Sequence, residues 1–410
     1  MRKIDLTSFQ LASSETARQI NRRIALNFIR RHEPLSRADL ARHSGLQRST
    51  VSAIVDQLIE EGWVVEGAVG HALRGRRPRF LHLNVEKTGI LAVDFRPETT
   101  TVGLAGVDAR FLAKTAWPTP KEPPAFVAQL KRTVTSFRRA HPQMRVEGMG
   151  IGLPGRADRA GRLVFAPNLG WGEVDLRRML ESAIGVPVVL ENDANVCALA
   201  ELWFGRHPEH VRNLLAVAIS EGVGVGLLLN GQLVHGGDSR AGEFGHVCID
   251  EAGPVCGCGR RGCWERYASD SAAEQYYAMR VARRRRAMAA ASGTAGGKGG
   301  QKAPAALRFD ELLRLAAKHD RLATETLDRT ARFLGIGLAG LITGLAPEII
   351  VVVGEVTSAW ERVGPIVTEV VAQRALPHAV TRIVPADRGA VLRGAVALVV
   401  QEHFGAPSVA

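Results

Sequence analysis

Four residues whose side chains bind soft metal ions lie within a short stretch of this chain: His246, Cys256, Cys258 and Cys263. Three thiolates and one imidazole complete a tetrahedral shell, a donor set suited to zinc. With all four positions supplied by protein, none is left for water, so the expected Zn2+ is structural rather than catalytic. Glycines at 257, 259 and 262 let the backbone fold tightly around an ion, and Arg260 and Arg261 favour deprotonated thiols nearby. The chain has five cysteines, and three of them crowd into the eight residues Cys256–Cys263. In a reducing compartment such a cluster binds metal more often than it forms disulfides. Cys197 sits in an apolar helical stretch and reads as core. On a strand, Cys248 would share a face with His246, which makes it a weaker alternative ligand.

A second group of polar side chains stands where it could read nucleic acid. Gln47, Arg48, Ser49, Thr50 and Ser52 open a stretch whose apolar residues, Val51, Ile54, Val55, Leu58 and Ile59, recur at helical spacing. All five can form hydrogen bonds to base edges, arginine suiting guanine and glutamine suiting adenine. Gly75-Arg76-Arg77-Pro78 adds a basic patch, with Arg76 and Arg77 placed for phosphates or a narrow minor groove.

The elements that must position these residues can be read around them. Ile20, Ile24, Phe28 and Ile29 mark a helix over 15–32. Ser36 followed by Asp39 is a capping-box pattern that starts a short helix, and Gly45 can close it. A second helix runs from about Gln47 to Glu61, with Gly62 as its stop. Two helices joined by a glycine-bearing turn form a helix-turn-helix whose second helix enters the major groove. The alternation after Gly62 and the return through Arg79–Leu83 predict a β-hairpin wing.

Beyond residue 86 strands and helices alternate, which implies α/β layers. Strands are expected over 90–95, 99–104, 146–153, 186–190, 214–219, 225–229 and 347–354. Helices are expected over 196–204, 322–342 and 389–400. The segment 280–304, with Arg283-Arg284-Arg285-Arg286 followed by Ala, Gly, Ser and Lys, cannot bury a core. It reads as a flexible basic insertion rather than a DNA-tracking element.

Composition bounds the class. Of 410 residues, 46% are hydrophobic, enough for large cores and too many for a disordered chain. The net charge is +12. Half of that excess falls within residues 1–85, on the helix-turn-helix, which favours a polyanionic partner. No apolar run reaches the roughly 18 residues of a membrane span. The N-terminus lacks the apolar stretch of a secretory signal. A cytoplasmic protein without membrane contact is therefore expected.

Taken together the motifs identify a family resemblance. The chain resembles the ROK family (repressors, open reading frames and kinases), most closely its xylose-repressor-like members. The carriers are Leu35-Ser36-Arg37 with Gly45-Leu46 and Ser49-Thr50-Val51-Ser52; Gly75-Arg76-Arg77-Pro78; Gly152-Leu153-Pro154-Gly155; Glu191-Asn192-Asp193-Ala194-Asn195; Gly242-Glu243-Phe244-Gly245-His246; and Cys256 to Glu265. The resemblance implies an α/β fold: an N-terminal winged helix-turn-helix over 1–85, then a two-lobed, actin-like (ribonuclease H-like) sugar-kinase domain with a structural zinc site. Its first lobe would comprise 86–195 with 388–410, and its second lobe 196–387. The implied sugar ligands are Asn192, Asp193, Glu243, His246 and Glu265, with Asn168 a weaker candidate. Carboxylates and amides of this kind pair with vicinal hydroxyls. His246 could serve zinc through one ring nitrogen and sugar through the other. For Asn192 and Asp193, capping of the following helix competes with ligand binding.

The resemblance also implies what a kinase of this family would need. Asp193 would be its general base. A glycine-rich phosphate loop would stand at Asp94-Phe95-Arg96-Pro97-Glu98-Thr99 and another at Ser220-Glu221-Gly222. Here Pro97 lacks an N–H, and Glu98 and Glu221 place carboxylates where phosphate would dock. Glu355 follows Gly354 where a second glycine of the adenosine site would stand. Kinase activity is therefore expected to be lost and Asp193 to be vestigial, with no catalytic residue. The expected function is a sugar-responsive transcriptional repressor. It would act as a homodimer or tetramer on operator DNA, released by a small sugar effector in the cleft. An ATP-dependent sugar kinase carrying a DNA-binding head, or a repressor controlled by a protein partner, are the alternatives.

Overall fold

The computed structural model describes residues 14–69, 79–158, 160–166, 169–208, 210–291, 307–377, 380–386 and 389–405. Two compact units divide the chain, one of Met1–Glu191 with Leu392–Ala410 and one of Asn192–Val391.

The first unit opens with three helices: α1 (Ser14–Arg31), α2 (Arg37–Ser44) and α3 (Arg48–Glu60). A three-stranded sheet accompanies them, of β1 (Leu35–Ser36), β2 (Val64–Val69) and β3 (Arg79–Leu83), ordered β1-β3-β2. The start and end of α2 follow from two residues. The Ser36 hydroxyl accepts the Asp39 N–H, and the Asp39 carboxylate accepts the Ser36 N–H, a complete capping box. Gly45, at φ 72°, takes the left-handed conformation that turns the chain toward α3. Ala25, Leu26, Ile29, Leu40, Val51, Ile54, Val55 and Leu58 form the buried centre. Arg37 then ties three elements, pairing with Asp56 of α3 at 2.7 Å and Glu66 of β2 at 2.9 Å.

The rest of this unit is built on β4 (Thr88–Phe95), β5 (Thr99–Gly106), β6 (Phe111–Pro118) and β7 (Arg145–Leu153), with α4 (Pro123–Ala140) before β7. A small ribbon of β8 (Arg156–Ala157) and β9 (Leu163–Phe165) follows, then α5 (Leu176–Ile184) and β10 (Val188–Asn192). The sheet order is β10-β7-β4-β5-β6. Phe95, Trp117, Phe126 and Trp171 pack their rings, tilted or edge to face, within its core.

The second unit carries a sheet with the same logic. Its elements are α6 (Asp193–Phe204), β11 (Leu214–Ile219), β12 (Val223–Leu229), β13 (Gln232–Leu233), α7 (Glu265–Ala268), α8 (Asp270–Ala291), α9 (Phe309–Ala317), α10 (Arg321–Leu345), β14 (Ile349–Val353), α11 (Trp360–Arg374) and β15 (Arg382–Pro385). The order is β13-β12-β11-β14-β15, with β12 antiparallel and β14 parallel to β11. In each unit, then, an antiparallel meander of three strands is extended from its first strand by two more. The closing helix, α12 (Ala390–Phe404), lies mainly in the first unit.

Glycines admit helices to these sheets at backbone contact. A Cβ at Gly150 of β7 would fall 1.8 Å from the Ala395 carbonyl oxygen of α12. One at Gly226 of β12 would fall 2.2 Å from the Ala194 carbonyl oxygen of α6. No side chain fits either gap.

One expectation needs correction. The basic segment expected to be a loop from residue 280 is helical through Ala291, as part of α8. Arginine and alanine are strong helix formers, and their propensity outweighs the lack of apolar periodicity. The remainder of that segment, 292–304, lies outside the described residues. His246 ends a 3-10 turn over Glu243–His246.

Candidate functional site

The cysteine cluster grows from a chain that repeatedly doubles back. The 3-10 turn carrying Glu243 and His246 lies close against β12. A Cβ at Gly242 or Gly245 would fall 2.1 Å from the carbonyl oxygens of Val225 and Val223 respectively. After it, backbone bridges join Cys248 to Cys263 and Val255 to Arg261, folding the intervening segment into a narrow loop. That loop points three thiols at one imidazole. The donor atoms of His246, Cys256, Cys258 and Cys263 all lie within 4.8 Å of one another. Cys248 is exposed and outside this group.

The spacing fits a metal ion. Cys258 Sγ lies 3.6 Å from Cys263 Sγ, and Cys256 Sγ lies 3.6 Å from His246 Nδ1. A tetrahedral ion with sulfur ligands at about 2.3 Å separates them by roughly 3.8 Å. The cluster could hold a metal ion. Burial pushes the Cys256 and Cys263 thiols up, a penalty that a bound cation would reverse. The backbone N–H of Arg260 holds the Cys258 thiol below its ordinary range. The Arg261 guanidinium donates to the Gly253 carbonyl at 3.3 Å.

Glu265 links this cluster to the turn beside it. Its Oε1 lies 2.8 Å from Cys256 Sγ and 3.4 Å from His246 Nδ1. Its Oε2 lies 2.9 Å from where a Cβ on Gly222 would stand, so a side chain there would push the carboxylate aside. The other ring nitrogen of His246, Nε2, faces Glu243 Oε2 at 3.8 Å. His246 thus turns one nitrogen to the thiols and the other to a carboxylate. Glu243, His246 and Glu265 come together; Asn192 and Asp193 stand at the junction of β10 and α6, whose Ala194 rests on Gly224 and Gly226 of β12. Asn192 is the N-cap of α6, its Oδ1 accepting the N–H groups of Ala194 and Asn195 at 3.0 and 3.4 Å. Asp193 Oδ1 also accepts the Ala194 N–H, at 2.8 Å. Asn168 lies outside the described residues.

Trp264 and Gly337 were not apparent as part of this site. Trp264 follows Cys263 directly, and its Nε1 donates to the Phe333 carbonyl of α10 at 2.8 Å. A large aromatic next to a ligand cysteine was the only available signal.

The two turns read as degenerate phosphate loops are closed by their own chemistry. Arg96 Nε donates to both Asp94 oxygens, at 3.1 and 3.2 Å. The Thr119 hydroxyl donates to the Arg96 carbonyl, and the Thr119 N–H to the Glu98 carbonyl. At the other turn the Ser220 N–H donates to the Gly222 carbonyl at 3.0 Å. The Ser271 hydroxyl donates to the Glu221 carbonyl.

In the winged helix-turn-helix, Gln47 precedes α3 in extended conformation and makes no side-chain cap. Gln47, Arg48 and Ser49 are exposed, Thr50 and Ser52 half-buried. The first turn of α3 therefore presents a polar edge, and the opposite face is buried. Arg76 and Arg77 lie outside the described residues.

Comparison with known proteins agrees with both halves. Residues 20–75 match the MarR family model. A xylose repressor of Bacillus subtilis is 30% identical over 344 residues, covering 83% of each chain. A glucokinase of Streptomyces coelicolor is 33% identical over 269 residues, covering 64% of this chain and 81% of its own. A solved ROK family transcriptional regulator, described as a homologue of the E. coli Mlc protein, superposes with a TM-score of 0.78 at 26% identity, covering 95% of this chain and 97% of the other. Because the ROK family model also matches residues 90–402, most of its length, the chain belongs to the ROK family.

Proposed function

We propose that this protein is a sugar-responsive DNA-binding repressor. The observation that carries it is the joining, in one chain, of a winged helix-turn-helix with an exposed polar helix start to a ROK domain that gathers Glu243, His246 and Glu265 beside a metal-binding cluster. Gln47, Arg48, Ser49, Thr50 and Ser52 contact base edges, with Arg76 and Arg77 on the backbone. A dimer, or a tetramer built from dimers, would read half-sites spaced by about one helical turn, ~34 Å, or a multiple.

The effector is a neutral sugar held by Asn192, Asp193, Glu243, His246 and Glu265, with Asn168 a weaker candidate. Carboxylates and an amide match vicinal hydroxyls, and a missing hydroxyl leaves them unpaired. Xylose is the first candidate, since similar chains are named xylose repressors. The ion is Zn2+, bound by three cysteines and His246 in a closed structural shell. When bound it would neutralise the thiolates and fix the His246 ring, so that Nε2 is presented on the sugar side.

Kinase activity is lost on this reading. Pro97 removes an N–H, and Glu98, Glu221 and Glu355 oppose phosphate. A repressor acts where its operator is, in the cytoplasm; no helix among the described residues is long and apolar enough to cross a membrane.

Gel shifts on the DNA upstream of the gene, with and without aldoses, test this. Release by one sugar supports the reading. DNA binding that no sugar alters removes the effector, and ATP-dependent phosphorylation abolished by Asp193→Asn would replace the repressor with a kinase.

A further inference from the structure

We propose that the outer half of α8 is a second, sequence-independent contact for the phosphate backbone of duplex DNA. The inner half of this helix is held in the second unit. Ala272 and Ala273 are buried, Arg280 pairs with Glu325 and donates to the Tyr276 hydroxyl, and Tyr276 lies under Arg329. From Ala282 to Met288 every residue is exposed. A helix lying on a protein surface buries a residue every three or four positions. Seven exposed in succession mean that about 10 Å of helix stands clear of the body.

That free length carries Arg283, Arg284, Arg285 and Arg286. At 100° per residue, four successive guanidinium groups cover most of the helix circumference. None of the four is paired with a carboxylate among the described residues. Attraction to the helix C-terminus favours cations in the last turn only, whereas this run lies further in. The four charges repel one another until a polyanion is bound, and guanidinium binds phosphate oxygens bidentately.

The distribution of charge selects among polyanions. A helix that enters a lipid surface needs an apolar face opposite its cations. Here the arginines occupy nearly every azimuth, and the flanking Met279 and Met288 make no continuous apolar stripe. A phosphate backbone needs only charge and reach. The partner's identity as DNA rests on the proposed function; the basic site itself does not.

The test uses the full chain, wild type and R283Q/R284Q/R285Q/R286Q, on the upstream DNA and on a duplex of random sequence. Binding is followed by fluorescence polarisation between about 50 and 300 mM salt. The slope of log K against log salt should fall in magnitude by about 2 to 4 on both duplexes, near 0.9 for each phosphate no longer neutralised. The fourfold Arg→Lys variant should keep the wild-type slope, and circular dichroism and metal content should match throughout. Slopes unchanged by the Gln substitutions overturn the proposal. Weakened binding to phosphatidylglycerol vesicles with unchanged DNA slopes also overturns it, in favour of a membrane contact. Should neither protein prefer the upstream DNA, the winged-helix reading fails, while the slopes on random duplex still decide the role of α8.

Discussion

The indole of Trp264 fills a notch that exists only because residue 337 is glycine. A Cβ there would sit 1.9 Å from Trp264 Cε2 and 2.3 Å from Cζ2. Trp264 is fully buried and follows Cys263, so its ring is one of the contacts by which α10 holds the cysteine loop in place. Gly337→Ala should therefore destabilise the second unit by about 2 kcal/mol, overpacking outweighing the gain in helix propensity. It should also lower the metal content of purified protein. Denaturant unfolding with metal analysis checks both; unchanged values would show that the loop does not depend on the notch.

Acidity should loosen the docking of the winged domain. His403 lies with its ring centroid 4.4 Å from that of Trp63, and burial, then Arg22 and Arg23, lower its pKa to about 4. A depressed histidine pKa means that the folded state resists protonation. The stabilisation is whole above the unfolded value near 6.5 and is lost as pH falls toward 4. At pH 5 the loss is about 2 kcal/mol. Trp63 fluorescence during unfolding at pH 7 and 5 should report it, and His403→Phe should abolish most of the difference.

On α3, Arg48→Ala should cost about 1–3 kcal/mol in operator affinity and relax preference at one base position. Ser36→Ala acts differently. It removes the capping box and should cost about 1 kcal/mol of stability with sequence preference retained. Binding to a set of single-base operator variants separates the two.

The cluster and the carboxylates beside it should respond separately. Cys258→Ser should abolish metal binding and weaken sugar binding through His246. Glu243→Ala should keep the metal and operator binding while blunting release by sugar. Calorimetry with the effector sugar, beside metal analysis, distinguishes them; loss of metal in Glu243→Ala would merge the two sites into one.

Much of this was legible from local chemistry. The capping box of Ser36 and Asp39 and the turn at Gly45 are short-range signals and appear where their residues demand. The donor set of the cluster was equally plain, since four soft ligands so near in sequence have few other uses. Long-range packing was not legible. That Gly337 accommodates Trp264, or that Gly222 stands against Glu265, depends on approaches between distant segments that no periodicity records. The turn at His246 was equally hidden: Gly242 and Gly245 lie against the carbonyls of Val225 and Val223, a contact between distant segments. The α8 expectation failed because low apolar content was allowed to outweigh the helix-forming tendency of arginine and alanine.

The seat of the winged domain joins residues far apart in the sequence. Trp63 packs on His403 and Phe404, Arg23 donates to the Gly405 carbonyl at 3.0 Å, and Asn27 to the Phe404 carbonyl at 2.6 Å. The winged domain's footing is therefore complete only once residues translated long after it, Phe404 and Gly405, have joined it. A message truncated ahead of α12 yields a reader of DNA with nothing to stand on.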